Sequence, residues 1–304
     1  MSSSIPSSGA LEASRPPSAA AEAMRQAIRS PRVVIGGAIV IAMVICAVFA
    51  PQIAPNDPAN QDLLNMLLPP MWAEGGSADY PFGTDSLGRC ILSQMIYGAR
   101  VALFVGFVAA IGAALLGTTL ALLAGYFGGW IDRVINHFVD LWMSLPPVVL
   151  SVTLMVGFGT GVGNVILAIV LVDWTRFCRV VRSEVMVVAR KDFVSAAKLL
   201  GFGNLRIILR EILPSVAPLV ITLFTLQVGI GIIVEAILSF VGLSVPADVP
   251  AWGQMIAQAR NYMYQAPWGI ILPVMAMFIT VLGFNLLGEG LRVTLDPRLR
   301  RRNF

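Results

Sequence analysis

The chain has 304 residues, of which 57% are hydrophobic and only 12% charged. A soluble domain carries about 25% charged residues, so this depletion, with a mean hydropathy of +0.80, excludes an ordinary water-soluble fold and points to a membrane protein. The net charge of +4 is small and calls for no nucleic-acid partner.

In chain order, residues 1–32 are rich in Ser, Ala and Pro and read as a largely disordered tail. Its last part, Ala19 to Arg29, can form a short amphipathic surface helix. A membrane-spanning helix needs about 20 mostly apolar residues. Six stretches qualify: Val33 to Ala50, Val101 to Phe127, Val134 to Phe158, Val162 to about Val180, about Val216 to Leu238, and about Trp268 to Leu291. The first is too long, and lies too far from the N-terminus, to be a signal peptide. The fourth carries Asp173, Arg176 and Arg179 in its second half. The expected fold is all-α and polytopic, with residues 33–304 forming one transmembrane domain.

The placement of Lys and Arg sets the orientation. With the N-terminus inside, only Arg89, Arg100 and Arg260 of the 21 basic residues fall outside. Both termini are therefore expected in the cytoplasm, with Gln52 to Met95 outside and Arg176 to Leu213 inside.

The second span carries Ala113, Gly117, Ala121 and Gly125 at intervals of four, a small-residue ridge suited to close helix packing. Ionisable residues within spans are costly and often mark function. Asp140, with His137 one turn before it, and Glu235 are the channel or gate candidates; a buried structural role weighs equally for each. Cys46, Cys90 and Cys178 suggest no disulfide framework, and the single histidine excludes a His-based metal cluster. The glycine-rich Gly157 to Gly163 reads as a tight turn. After it, the outer stretch from Trp252 repeats apolar residues at Met255, Ile256, Ala259 and Met263. That pattern predicts an amphipathic helix at the membrane interface, with Trp252, Gln254 and Gln258 facing a partner.

The loop between the fourth and fifth spans, about residues 182–213, is the most specific segment. Asp192 is expected to cap a two-turn helix, Phe193 to Leu200, and Gly201 to form the turn after it. Asn204 is expected to cap a second short helix running to Leu213. Exposed Ala196 and Ala197, flanked by Phe193 and Leu200, suit docking into a groove; the plainer alternative is a helix lying on the membrane surface.

Ser195-Ala196-Ala197 followed by Gly201 and Leu213-Pro214 resembles the cytoplasmic "EAA" loop of bacterial ABC importer permeases. Tyr80-Pro-Phe-Gly-Thr-Asp-Ser-Leu-Gly-Arg89 and Ile96-Tyr-Gly-Ala-Arg100 resemble the segment before the second span of the dipeptide, oligopeptide and nickel permeases. Further matches are Glu235-Ala-Ile-Leu-Ser-Phe-Val-Gly-Leu243, Trp252-Gly253, Asn285-Leu-Leu-Gly-Glu-Gly-Leu-Arg292 and Leu295-Asp-Pro-Arg298. The resemblance covers Val33 to the C-terminus and points to the C-type permease. Ser195 and Glu289 depart from it, standing where the family has Glu and Asp.

The resemblance implies a type I importer permease fold in the bacterial inner membrane. It implies a second homologous permease, two ATPase subunits, and a periplasmic or lipid-anchored substrate-binding protein. It makes Asp192, Phe193, Ser195, Ala196, Ala197, Lys198, Leu200 and Gly201 the ATPase-coupling helix. ATP and Mg would bind the ATPases, because this chain has no G-x-x-x-x-G-K-[ST] phosphate loop. No catalytic residue and no metal site is expected. The alternatives are a secondary transporter driven by an ion gradient, against which no internal repeat is visible, and a membrane-embedded enzyme, for which no catalytic set exists.

Overall fold

The computed structural model describes residues 30–246 and 248–295. The expected surface helix at Ala19 to Arg29 and the basic C-terminal tail lie outside the described residues. Among those described, the only β pairing is an isolated bridge between Thr84 and Cys90. Besides a single turn at Ala50–Ile53, the α-helices among the described residues are α1 (Pro31–Val48), α2 (Ile91–Phe127), α3 (Gly129–Met143), α4 (Pro147–Phe158), α5 (Val162–Val188), α6 (Asp192–Leu199), α7 (Asn204–Ile207), α8 (Leu213–Phe240), α9 (Trp252–Ala259) and α10 (Trp268–Leu295).

Pro31 opens α1, where its missing N–H costs nothing. At the other end the Arg100 guanidinium donates to the carbonyls of Ala47, at 2.5 Å, and Val48, at 3.1 Å, satisfying acceptors that a helix end leaves unpaired. α2 begins at Ile91, before the expected Val101. Its 37 residues span about 55 Å, well beyond a bilayer core of about 30 Å.

The third expected span is not a straight helix. α3 and α4 meet at 88°. Pro147 pushes Pro146 into an extended conformation, with ψ 127°, and both prolines lack the N–H that a continuing helix needs. α5 runs to Val188, past the expected end near Val180. The two separate helices expected after Gly203 are instead one helical path from Asn204 to Phe240. It includes a π-helical stretch, Ile208–Ile212, immediately before Pro214, whose missing N–H interrupts the regular ladder.

Among the described residues, four helical segments are long and apolar enough to cross a membrane, and a fifth if the bent α3–α4 pair counts as one. α2 lies at the centre, with its most extensive contact to α5. The small-residue ridge makes that contact: Gly117 faces the Trp174 carbonyl and Phe177, and Gly125 faces Val185. α1 packs on α10 in the same manner, with Gly36 against the backbone of Gly283 and Leu287. Asp173, buried in α5, accepts from the Gln227 side chain of α8 at 2.5 Å. Large apolar side chains such as Phe104, Leu115, Phe138, Val156 and Phe278 remain exposed, a surface that needs lipid or protein against it.

The segment joining α1 to α2 folds through side-chain bonds. The Asp85 carboxylate accepts from the N–H of Leu87 and Arg89, from Arg89 Nε and from Gln94 Nε2. Hydrogen bonds from the Asn65 amide, the Leu64 N–H and the Tyr80 hydroxyl hold the Asp62 carboxyl below the usual carboxylate range.

Candidate functional site

α6 is an eight-residue helix, about 12 Å long. Lys191, not Asp192, occupies the cap position, and no side chain caps the helix. Asp192 lies one residue further on, where its charge suits the positive helix end. At the other end Gly201 has φ +79°. Its N–H donates to the Lys198 carbonyl and the Phe202 N–H donates to the Ala197 carbonyl, a Schellman closure that needs a left-handed residue. Gly203, rather than Asn204, caps α7; the Asn204 side chain accepts from the Tyr126 hydroxyl at 2.9 Å.

The helix has two faces. Val194 and Ala197 are buried with Val185, Val188, Ile207, Ile208 and Ile212. The expectation that Ala197 is exposed is therefore corrected: it is 5% exposed, because α6 lies on the cluster formed by the end of α5 and the start of the α8 path. The outward face carries Phe193, Ser195, Ala196, Lys198, Leu199 and Leu200. Leu199, 89% exposed, was missed; it stands beside Leu200 and continues the same apolar edge. Ala197→Asp would accordingly place a charge inside the loop itself, at a cost of about 2 kcal/mol or more. The yield of monodisperse folded protein should fall for Ala197→Asp and stay unchanged for Ala196→Asp, read by size-exclusion chromatography of detergent extracts.

Side chains tie this loop to the spans. Lys198 lies 5.0 Å from the Tyr126 ring at the end of α2. Arg182 in α5 makes a two-pronged ion pair with Asp132 in α3, and Asn136 Nδ2 donates to the same carboxylate at 2.7 Å. Two turns further along α3, Asp140 pairs with Arg179. These two acid–arginine pairs join α3 to α5. Asp132 was not among the sequence candidates, although Asp132, Asn136 and Asp140 share one face at intervals of four.

The remaining candidates lie elsewhere. Asp140 is exposed although paired, and His137 is exposed beside it. Glu235 is buried within the chain, where Oε1 accepts from Ser244 Oγ at 2.9 Å. Trp252 is corrected as a partner-facing residue. It is 1% exposed, donates to the Met95 carbonyl at 3.0 Å and packs on Gly98. Gln258 accepts from Arg89 Nη2 at 2.6 Å, so its side chain is engaged within the chain, and Gln254 is half-buried. α9 packs against α2, α8 and α10, with Gly253 against the Ala236 carbonyl.

These features define a helical membrane domain that presents a short, outward-facing helix from a basic loop. Residues 117–301 match the family model described as a binding-protein-dependent transport system inner membrane component. Residues 18–70 match the N-terminal transmembrane domain of oligopeptide transport permease C. The chain is 38% identical over 280 residues to a dipeptide transport system permease protein of Alkalihalophilus pseudofirmus, covering 92% of this chain and 90% of the relative. It is 38% identical over 268 residues to a di/tripeptide transport system permease protein of Pseudomonas aeruginosa, covering 88% of each. It is 36% identical over 282 residues to a glutathione transport system permease protein of Pectobacterium atrosepticum, covering 92% and 91%. In fold it resembles a chain of the MetNI methionine ABC transporter in an inward-facing conformation, with a TM-score of 0.52 at 17% identity, covering 66% of this chain and 97% of that one. The chain belongs to the inner-membrane permease family of binding-protein-dependent ABC transport systems, and the dipeptide permeases among its relatives are of the C type.

Proposed function

We propose that this chain forms half of the translocation channel of an ATP-driven importer for short peptides or similar small solutes. It pairs with a second homologous permease, two ATPase subunits and a periplasmic or lipid-anchored binding protein. The observation that carries this reading is α6. Its outward apolar edge of Phe193, Leu199 and Leu200 is set on a buried base of Val194 and Ala197 and fixed in angle by Gly201. A rigid, shallow knob of this kind suits a preformed groove on an ATPase. ATP and Mg bind the ATPases, which carry out hydrolysis, so this chain has no catalytic step.

The loop bonds give α6 a route to the spans. A push on α6 reaches α2 through Lys198 and Tyr126, α3 through Arg182 and Asp132, and α8 through the helical path from Asn204. In this mechanism ATP-driven closure of the ATPases moves α6, and the spans alternate between outward and inward access. Glu235 holds the turn after α8 through Ser244, at the outer gate. Asp140, with Arg179, lies on a face open to the second permease. Gln254 and Gln258 border the surface that the binding protein meets. Short peptides are favoured because the relatives' names specify dipeptide, di/tripeptide and glutathione transport. Selection among them belongs to the binding protein.

Residues 33–304 form the transmembrane domain behind the 1–32 tail, with six spans and both termini in the cytoplasm of a bacterial inner membrane. The span that completes the six is α5, fourth in chain order: its 27 residues reach about 40 Å, and its buried Asp173 is hydrogen-bonded to Gln227, as a polar group at membrane depth must be. In a background lacking Cys46, Cys90 and Cys178, single cysteines at Ser77 and Ser195 should react with a membrane-impermeant maleimide from opposite sides. Reaction of both from one side would rule out the six-span topology.

A further inference from the structure

We propose that the groove between α2 and the start of α8 holds an acyl chain of an anionic phospholipid, with the lipid phosphate on Arg206 and Arg210. The inference rests on the topology above, which puts the Asn204 end of α8 at the cytoplasmic leaflet. α2 and α8 approach closely at Gly106 and Gly231, where an added Cβ on Gly231 would lie 3.2 Å from the Gly106 Cα. Toward Phe127 and Asn204 they leave between them a cavity of about 360 Å³, lined among others by Ala114, Thr118, Leu122, Ile208, Leu213 and Val220. Leu115, Leu205 and Leu209 form its exposed rim.

The mouth of this apolar groove is cationic. A second, open cavity of about 380 Å³ adjoins it, sharing Leu205 and Leu209 and completed by Arg206 and Arg210. The two arginines are one turn apart on the same helical path and lie together at the mouth. Neither makes an ion pair with another described residue. Arg206 stacks over the Phe202 ring at 4.0 Å, which restrains its guanidinium. Both precede the apolar stretch that opens at Leu213, which sets them at headgroup depth. A guanidinium fork matches phosphate geometry, and basic pockets between spans on the cytoplasmic side recognise anionic headgroups. A packed protein helix would fill the groove but leave the paired cations without a counter-charge; an anionic lipid supplies both the chain and the charge.

The test uses the full-length chain, with the subunits that co-extract, in vesicles containing either photoactivatable phosphatidylglycerol or photoactivatable phosphatidylcholine. The diazirine sits in the acyl chain, and labelled peptides are mapped by mass spectrometry. Labelling within residues 114–123 and 205–213 should favour the anionic probe. It should fall about tenfold in the Arg206→Gln/Arg210→Gln double variant. Leu209→Trp, which fills the groove and leaves both arginines, should abolish it. Equal labelling by the two probes, or labelling unchanged in the double variant, overturns the proposal. So does efficient disulfide formation between Leu209→Cys and the second permease, which would make the groove a subunit interface. Maleimide labelling of Ser195→Cys in the same vesicles reads the topology separately, so a failure of orientation is distinguished from a failure of lipid binding.

Discussion

Leu199→Asp should leave the amount of membrane-inserted protein unchanged and remove its ATPase. Leu199 is 89% exposed and lies outside the buried cluster beneath α6, so the free chain tolerates an aspartate there. Seated in a groove, the same carboxylate is desolvated without a partner, at a cost of about 3 kcal/mol or more. That is a loss of more than about a hundredfold in affinity. Gly201→Asp should act by a second route. At φ +79° any side chain is strained by about 1 kcal/mol or more, and relief of that strain re-aims α6. Pull-down of ATPase subunits and ATP hydrolysis stimulated by the binding protein should both collapse in Leu199→Asp and fall in Gly201→Asp. Ala196→Gly, which trims the same face without adding charge, should retain both. A complex that assembles and hydrolyses normally with Leu199→Asp would show that α6 is not the coupling element.

Gly117→Val should have the opposite signature: loss of folded protein rather than of coupling. An added Cβ would sit 2.5 Å from the Phe177 Cβ and press on the Trp174 carbonyl. Backbone cannot yield as a flexible side chain can, so α2 and α5 must separate. Their contact is the most extensive in the chain, and the cost is about 3 kcal/mol or more. Gly157→Ala in α4 is the matched control, because its Cβ meets nothing within 4 Å. Thermal aggregation in detergent should shift sharply downward for Gly117→Val and little for Gly157→Ala. Equal behaviour of the two would mean that the small-residue ridge is not what holds α2 against α5.

How much was legible follows from which forces are local. The positions of the apolar stretches come from composition, and the helix-ending role of Gly201 follows from backbone sterics, so both could be read directly. The break between α3 and α4 was written in Pro146-Pro147, but Leu145 and Val148 keep the stretch apolar and mask it. The anchoring of Arg100 on the carbonyls of Ala47 and Val48 joins residues more than 50 apart in sequence, which no local pattern reports. Burial of Ala197 and Trp252 depends on what packs beneath them, which one helix period cannot reveal. For α6 the signal was present but ambiguous: Val194 and Ala197 are three apart, as are Ala196 and Leu199, and either pair could have faced inward.

In the proposed mechanism, ATP on partner subunits drives transport through this chain. The most direct measurement is uptake of a labelled dipeptide into proteoliposomes holding the assembled complex and its binding protein. Uptake should require ATP inside the same compartment as the ATPases, stop with Leu199→Asp, and persist when ionophores collapse every ion gradient. Uptake that continues without ATP and disappears on adding the ionophores would contradict it and mark the chain as a carrier driven by an ion gradient.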